Sequence, residues 1–265
     1  VYELFFDYKF NQDKKEYSQS SINNMKAAFK NCSALHERTF KDIRYKDLQK
    51  IVDDCKLKHA SKELIVNLLK QLYNYAEILE LIDKNYSKHV KINTPDDDIH
   101  GVPFSDKELT TLWKNKSNEI VRVLLIMCYS GFRINEYTNI KIDFHEGYFL
   151  GGSKTAAGRN RVVPIHSGIY NLVKQQVDDK GAIVVSPSDF RKQMYSTLKG
   201  INIEKHTPHD CRHTFAMLCD KNGVNEILKK RMLGHSFQDV TNKVYGHSDL
   251  EMLKNEIKKI VINCY

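Results

Sequence analysis

Proline is scarce, five residues in 265, and tryptophan occurs once, at Trp113. So little proline excludes a proline-rich or collagen-like chain. An apolar content of 41% excludes a chain too polar to bury a core, and the length is ample for two domains. No apolar run approaches the roughly 20 residues of a membrane-spanning helix; the longest, 121–129, is interrupted by Arg122. The six cysteines (Cys32, Cys55, Cys128, Cys211, Cys219 and Cys264) are scattered and contain no C-x-x-C pair, so a disulfide scaffold is not expected. They read as reduced, mostly buried thiols of an intracellular protein. Repeats and low-complexity tracts are absent. The chain begins at Val1 with neither an initiator Met nor a signal-peptide pattern, as a fragment of a longer protein would.

What is present in excess is positive charge, 41 Lys plus Arg against 33 Asp plus Glu, a net +8. That balance suits a polyanionic partner, although many soluble proteins that bind no nucleic acid share it. Helical patterns run over Tyr2 to Phe10, Ser20 to Leu35, Tyr45 to Cys55 and Ser61 to Leu81. The last carries Leu64, Leu68, Leu72, Ala76 and Leu79 at helical spacing, with Ser61 as N-cap. Residues 1–92 therefore read as a helical unit whose Lys26, Lys30 and Lys46 are candidate phosphate contacts. Any one of these lysines taken alone is more simply a solvated helix face. Residues 93–103, with three consecutive aspartates, two prolines and a glycine, read as a linker.

From 104 to 265 the pattern is mostly helical with one small sheet. Ser105 and Glu108 form a capping box, an apolar helix from Ile120 to Tyr129 stops at Ser130 and Gly131, and short alternating runs from Ile140 to Ile165 make an antiparallel hairpin. Helical patterns return at Pro187 to Leu198, His209 to Asn222, Asn225 to Leu233, Ser236 to Val244 and Leu250 to Ile262. The expected fold is mainly α: a helical domain followed by a helical domain with a small antiparallel β-sheet.

Five pieces of text then stand in a fixed order: SGFRINE (130–136), GGSKTAAGRNRVVPI (151–165), TPHDCRHTFA (207–216), LGHS (233–236) and VYGH (244–247). Their order and content resemble the tyrosine recombinase, or phage integrase, family. The resemblance covers most of the chain, and the helical segment before Pro103 is similar to that family's core-binding domain. Tyr137 and Cys211 depart from the usual aliphatic residues at packing positions, which leaves the chemistry untouched.

The resemblance implies an enzyme that breaks and rejoins DNA without metal or cofactor, with six residues in named roles. Arg133 and Arg212 form a clamp on the nonbridging oxygens, for which the guanidinium fork is matched. His209 assists proton transfer, His235 contacts the phosphate or packs against the nucleophile, and Lys154 protonates the leaving 5′ oxygen. Tyr245 is the nucleophile; its phenol, near pKa 10 when unperturbed, needs cations and a base beside it. Glu136 is a candidate buttress for Arg133, and Arg159 and Arg161, in the same hairpin as Lys154, are candidate DNA contacts.

The implied partners are double-stranded DNA, three further copies of the chain in a tetramer on that DNA, and DNA-bending and directionality proteins. The implied place is the cytoplasm, on the nucleoid. Within the enzyme reading a mobile-element integrase, a chromosome-dimer resolvase and a type IB topoisomerase stay open, with the integrase preferred. A non-enzymatic DNA-binding regulator is the alternative from another class. His209 and His213 at i and i+4 also offer a zinc-protease spacing, weakened by Asp210 in place of the glutamate base and by the neighbouring Arg212. The apolar stripe Leu250, Leu253, Ile257 and Ile260 fits packing on its own domain or on a neighbouring protomer.

Overall fold

Short polar side chains set most helix ends, and apolar stripes decide which face turns inward. A computed structural model describes residues 1–13, 15–95, 101–152, 160–235 and 249–262. The chain separates into two units, Val1–Ile99 and His100–Tyr265, each with its own apolar core.

The first unit is all helical. Helix α1 (Tyr2–Asp7) runs on into a π-helical turn, Tyr8–Gln12. Helix α2 (Gln19–Lys30) is capped by Ser18, whose Oγ accepts the Ser21 N–H at 3.2 Å. It ends before Leu35, because Ser33–Leu35 forms a separate 3₁₀ turn. In α3 (Tyr45–Asp53) the Asp47 carboxylate reaches back to the Arg44 N–H at 2.8 Å. Helix α4 (His59–Ile78) has Lys58 at its N-cap position, so Ser61 lies inside its first turn rather than capping it. The buried side of α4 is Ile65, Leu68, Leu69, Leu72, Tyr73 and Ala76. Leu64 and Leu79, which the spacing places on the apolar stripe, stay 37% and 44% exposed at its margins.

The second unit is built around one helix. Helix α5 (Asp106–Lys114) opens with the capping box predicted from Ser-x-x-Glu: Ser105 N–H donates to Glu108 Oε2 at 2.8 Å, and Glu108 N–H to Ser105 Oγ at 3.3 Å. Helix α6 (Glu119–Cys128), capped by Asn118, is buried from Ile120 through Cys128 and packs against α5 and three later helices. Each fully buried Leu or Ile along it contributes about 1.5–3 kcal/mol. Strands β1 (Lys141–Asp143), β2 (Tyr148–Gly151) and β3 (Arg161–Pro164) form an antiparallel sheet in that order, with Phe149 opposite both Ile142 and Val163.

Helix α7 (Tyr170–Lys180) follows, where the periodicity predicts none. Its inward positions are Leu172, Val173 and Gln176, and a glutamine on the core side breaks the apolar stripe that would have signalled the helix. Gln176 is there to receive Arg122, the charge that interrupts α6: Nε donates to Gln176 Oε1 at 2.9 Å and Nη2 to Asp179 Oδ2 at 2.8 Å. Helices α8 (Pro187–Gly200), α9 (Pro208–Lys221), α10 (Glu226–Leu233) and α11 (Asp249–Ile257) complete the unit.

The helix expected over Ser236 to Val244 lies outside the described residues. The stripe after it packs on its own unit: Leu253, Ile257 and Ile260 are buried, and α11 lies against β3. His166 Nδ1 accepts the Gly168 N–H at 3.1 Å, so Nε2 carries the proton and donates to Ile260 O at 2.8 Å. The Val261 N–H is held by Asn222 Oδ1 at 3.2 Å.

Candidate active site

Two glycine-terminated helix ends and one proline-started helix bring the site together. Helix α6 stops because Gly131 takes φ +68°, a left-handed conformation that closes the helix with its N–H on Met127 O at 3.1 Å. The chain then turns through buried Phe132 and presents Arg133, whose side chain is 27% exposed. A Cβ at Gly131 would strike the Phe215 ring. Gly131→Ala is expected to cost roughly 1–2 kcal/mol in backbone strain and about 1–3 kcal/mol in overpacking, read from the urea midpoint.

Helix α9 starts at Pro208, and the Asp210 carboxylate accepts the Thr207 N–H at 2.7 Å. That fixes the first turn so that His209 faces out and Arg212 points inward. Arg212 Nη1 donates to Gly131 O at 2.7 Å, and Nη2 donates to Leu233 O. Leu233 ends α10, Gly234 closes it at φ +68°, and His235 follows, its own N–H on Lys230 O at 3.0 Å. One guanidinium thus ties the turn carrying Arg133 to the corner carrying His235.

Beside it Glu136, almost fully buried, accepts Arg161 Nη1 at 3.1 Å, Arg161 Nη2 at 2.7 Å and the Arg133 N–H at 2.7 Å. The Arg161 guanidinium lies 4.1 Å from the Phe132 ring centroid, and its Nε donates to Met232 O at 2.9 Å. The guanidinium of Arg161, a residue read from the sequence as a candidate DNA contact, is only 3% exposed and is held by a buried carboxylate. Glu136, expected to buttress the Arg133 side chain, meets it only at 3.5 Å.

The electrostatics follow from this crowding of cations. Burial, then the fields of Arg133 and Arg161, push Arg212 down to about 10, which leaves it protonated at neutral pH. His209 is lowered by loss of solvent first, then by His213, Arg212 and Arg133; His235 is lowered by loss of solvent, then by Arg212 and Arg133. Both imidazoles are therefore neutral at pH 7 and able to accept a proton. Burial pushes Glu136 upward, but the Arg161 hydrogen bonds and the Arg133 N–H outweigh it and hold the carboxylate ionised.

Arg133, His209, Arg212 and His235 thus share one field. Lys154, Arg159 and Tyr245 lie outside the described residues. Tyr137 is fully buried with its hydroxyl 2.7 Å from Ser130 Oγ, a packing role. Lys26, Lys30 and Lys46 are exposed on α2 and α3 of the first unit. The His209 and His213 rings meet edge to face with centroids 4.7 Å apart. Asp210 is committed to the helix cap, and no third donor joins the two histidines among the described residues.

The family model for phage integrases matches residues 104–252. The chain belongs to the phage integrase family. It is a tyrosine-type site-specific recombinase. A tyrosine recombinase of Thermosipho africanus is 25% identical over 215 residues, covering 74% of each chain. Tyrosine recombinase XerA of Saccharolobus solfataricus is 31% identical over 163 residues, 58% of this chain and 53% of that protein. Among solved structures, the Tn1549 transposon integrase in complex with transposon right end DNA superposes with a TM-score of 0.74 at 16% identity, covering 96% of this chain and 98% of that one. The lambda integrase tetramer bound to a Holliday junction gives 0.72 at 14%, covering 90% and 77%.

Two features of this integrase-family site escaped the sequence reading. Arg161 and Glu136 form the buried pair just described. In addition, His206 is buried and stacked on Phe104 (3.9 Å, 21°), with Nε2 3.1 Å from Glu108 Oε1 and Nδ1 3.2 Å from Val102 O. It packs the segment entering the catalytic unit against the start of α9. The only sequence signal was a histidine three residues before His209, which no periodicity distinguishes.

Proposed function

We propose that this recombinase cleaves and rejoins DNA through a 3′-phosphotyrosine at Tyr245, passes through a Holliday junction held by four protomers, and integrates and excises a mobile element. Arg133 and Arg212 hold the nonbridging oxygens of the scissile phosphate, His235 hydrogen bonds to it, and His209 accepts the tyrosine proton. Tyr245 Oη attacks phosphorus, the bond to the 5′ oxygen breaks, and Lys154 gives that oxygen its proton. The energy of the phosphodiester is kept in the phosphotyrosine, so religation needs no high-energy cofactor. Residues 1–92 form the core-type DNA-binding domain, with Lys26, Lys30 and Lys46 on phosphates, and Arg159 does the same.

The observation that carries this reading is the convergence of two arginines and two histidines, with Arg212 bridging Gly131 O and Leu233 O between the turn of Arg133 and the corner of His235; the lowered pKa of both imidazoles adds a base to those cations. The transposon and lambda integrases that share the fold support the mobile-element role. A chromosome-dimer resolvase is the second reading.

The test is a nicked duplex bearing a cognate site selected by binding from a random pool. A covalent protein–DNA adduct is expected, with the modified peptide mapping to Tyr245 by mass spectrometry. An adduct on another residue, or tight binding with no adduct, overturns the mechanism. Cleavage of the ends of a neighbouring element favours the integrase, and cleavage of a chromosomal site favours the resolvase.

The rate should also depend on pH with a defined sign. Because the folded pKa values of His209 and His235 lie below the ordinary 6.5, both stay neutral as pH falls to 6.5 and protonate only below it. The acid limb of single-turnover cleavage is expected to have its midpoint below 6.5. The unfolded chain takes up protons first, so stability is full above 6.5 and declines as pH falls through the folded values. An acid midpoint above 6.5 contradicts the assignment of His209 as base.

A further inference from the structure

Glu136 stands between two arginines and holds one far more closely than the other. Its two oxygens receive both terminal nitrogens of Arg161, at 3.1 and 2.7 Å. Among the described residues, the Arg133 guanidinium makes a single long contact, Nη1 to Glu136 Oε1 at 3.5 Å. Exposure explains the choice: the Arg161 and Glu136 side chains are each 3% exposed, whereas Arg133 is 27% exposed. An ion pair is strongest where water is excluded, and Arg161 is held in place for it by the Phe132 ring and Met232 O.

We infer that Arg161 is a positioning residue that occupies the Glu136 carboxylate and so keeps the Arg133 guanidinium available for the scissile phosphate. This rests on the proposed role of Arg133 as one arm of the clamp. Glu136 is needed where it is, because its Oε2 also holds the Arg133 N–H at 2.7 Å and fixes the turn. The same carboxylate, lacking Arg161, would find Arg133 its nearest strong cation. The guanidinium would close on it in a bidentate pair, and the site would be left with Arg212 alone. Arg161 thus removes a competitor that the turn itself requires.

The experiment is single-turnover cleavage of the nicked cognate duplex by the full chain at saturating protein, with DNA affinity measured in parallel. Arg161→Gln is expected to slow cleavage by about 10- to 100-fold, part of the loss that follows removal of one anion-stabilising donor, with affinity unchanged. Adding Glu136→Gln should restore most of the rate, because a neutral amide no longer captures Arg133 yet still accepts its N–H. A double variant as slow as Arg161→Gln, or an Arg161→Gln enzyme at the wild-type rate, overturns the inference.

Should Arg161→Gln fail to fold, Glu136→Gln alone decides: it is expected to keep cleaving, and a fall to the level of Arg133→Ala overturns the inference. Arg133→Ala in the same assay separates the two ideas. If it cleaves like the wild type, the clamp assignment fails and the inference falls with it, whatever the Arg161 series does.

Discussion

Tyr245→Phe is expected to abolish the covalent adduct and lower strand cleavage by about 10⁴-fold or more, the scale of removing a nucleophile from an intact site, while DNA affinity stays at the wild-type level. The substitution removes one oxygen and keeps the ring. The proposed phosphate contacts lie at other residues and are left in place. On the proposed mechanism the arginines and histidines then hold a substrate they cannot cut. Denaturing gels and filter binding on one duplex read both quantities. Loss of binding together with cleavage, or residual adduct in the variant, would remove Tyr245 from the proposed role.

The second large effect separates the two arginines of the proposed clamp. Arg133→Ala should lower cleavage by about 10³-fold or more, the range for an arginine that stabilises a transferring phosphoryl group, and leave the urea midpoint nearly unchanged. Its guanidinium is partly exposed and makes only one long contact among the described residues. Arg212→Ala should lose cleavage to a similar degree and also destabilise the fold by about 2–4 kcal/mol, since two carbonyls lose charge-assisted donors in a buried setting. Those carbonyls belong to Gly131 and Leu233. Arg212→Lys should not rescue either quantity, because one ammonium cannot span both acceptors and still face a phosphate. Equal midpoints for the two alanine variants would contradict the buried, bridging position of Arg212.

Much of this was legible in the sequence, and the limits have physical causes. The fold class followed from helical spacing and one alternating stretch, and the order of the motif text led to the family. Both are local signals, carried by residues a few positions apart. What escaped was pairing between distant positions. Helix α7 was hidden because Gln176 sits where an apolar residue would mark the core side, and its reason for being polar is Arg122, 54 residues earlier. Arg161 read as one more basic residue of a DNA-facing hairpin, because nothing in its neighbourhood shows that Glu136, 25 residues away, meets it in the core. Ser61 has the chemistry of an N-cap but α4 starts earlier, since caps compete and tertiary packing decides among them.

The bond from Arg212 to Gly131 O joins residues 81 positions apart, and the bond from Arg161 to Met232 O joins residues 71 apart. Contacts of such sequence separation form late, after the entropy of closing long loops has been overcome. A chain in which these loops are not yet closed has its two site arginines unassembled. The grouping of Arg133, Arg212 and His235 therefore depends on completion of the tertiary structure and not on the local text of any one motif.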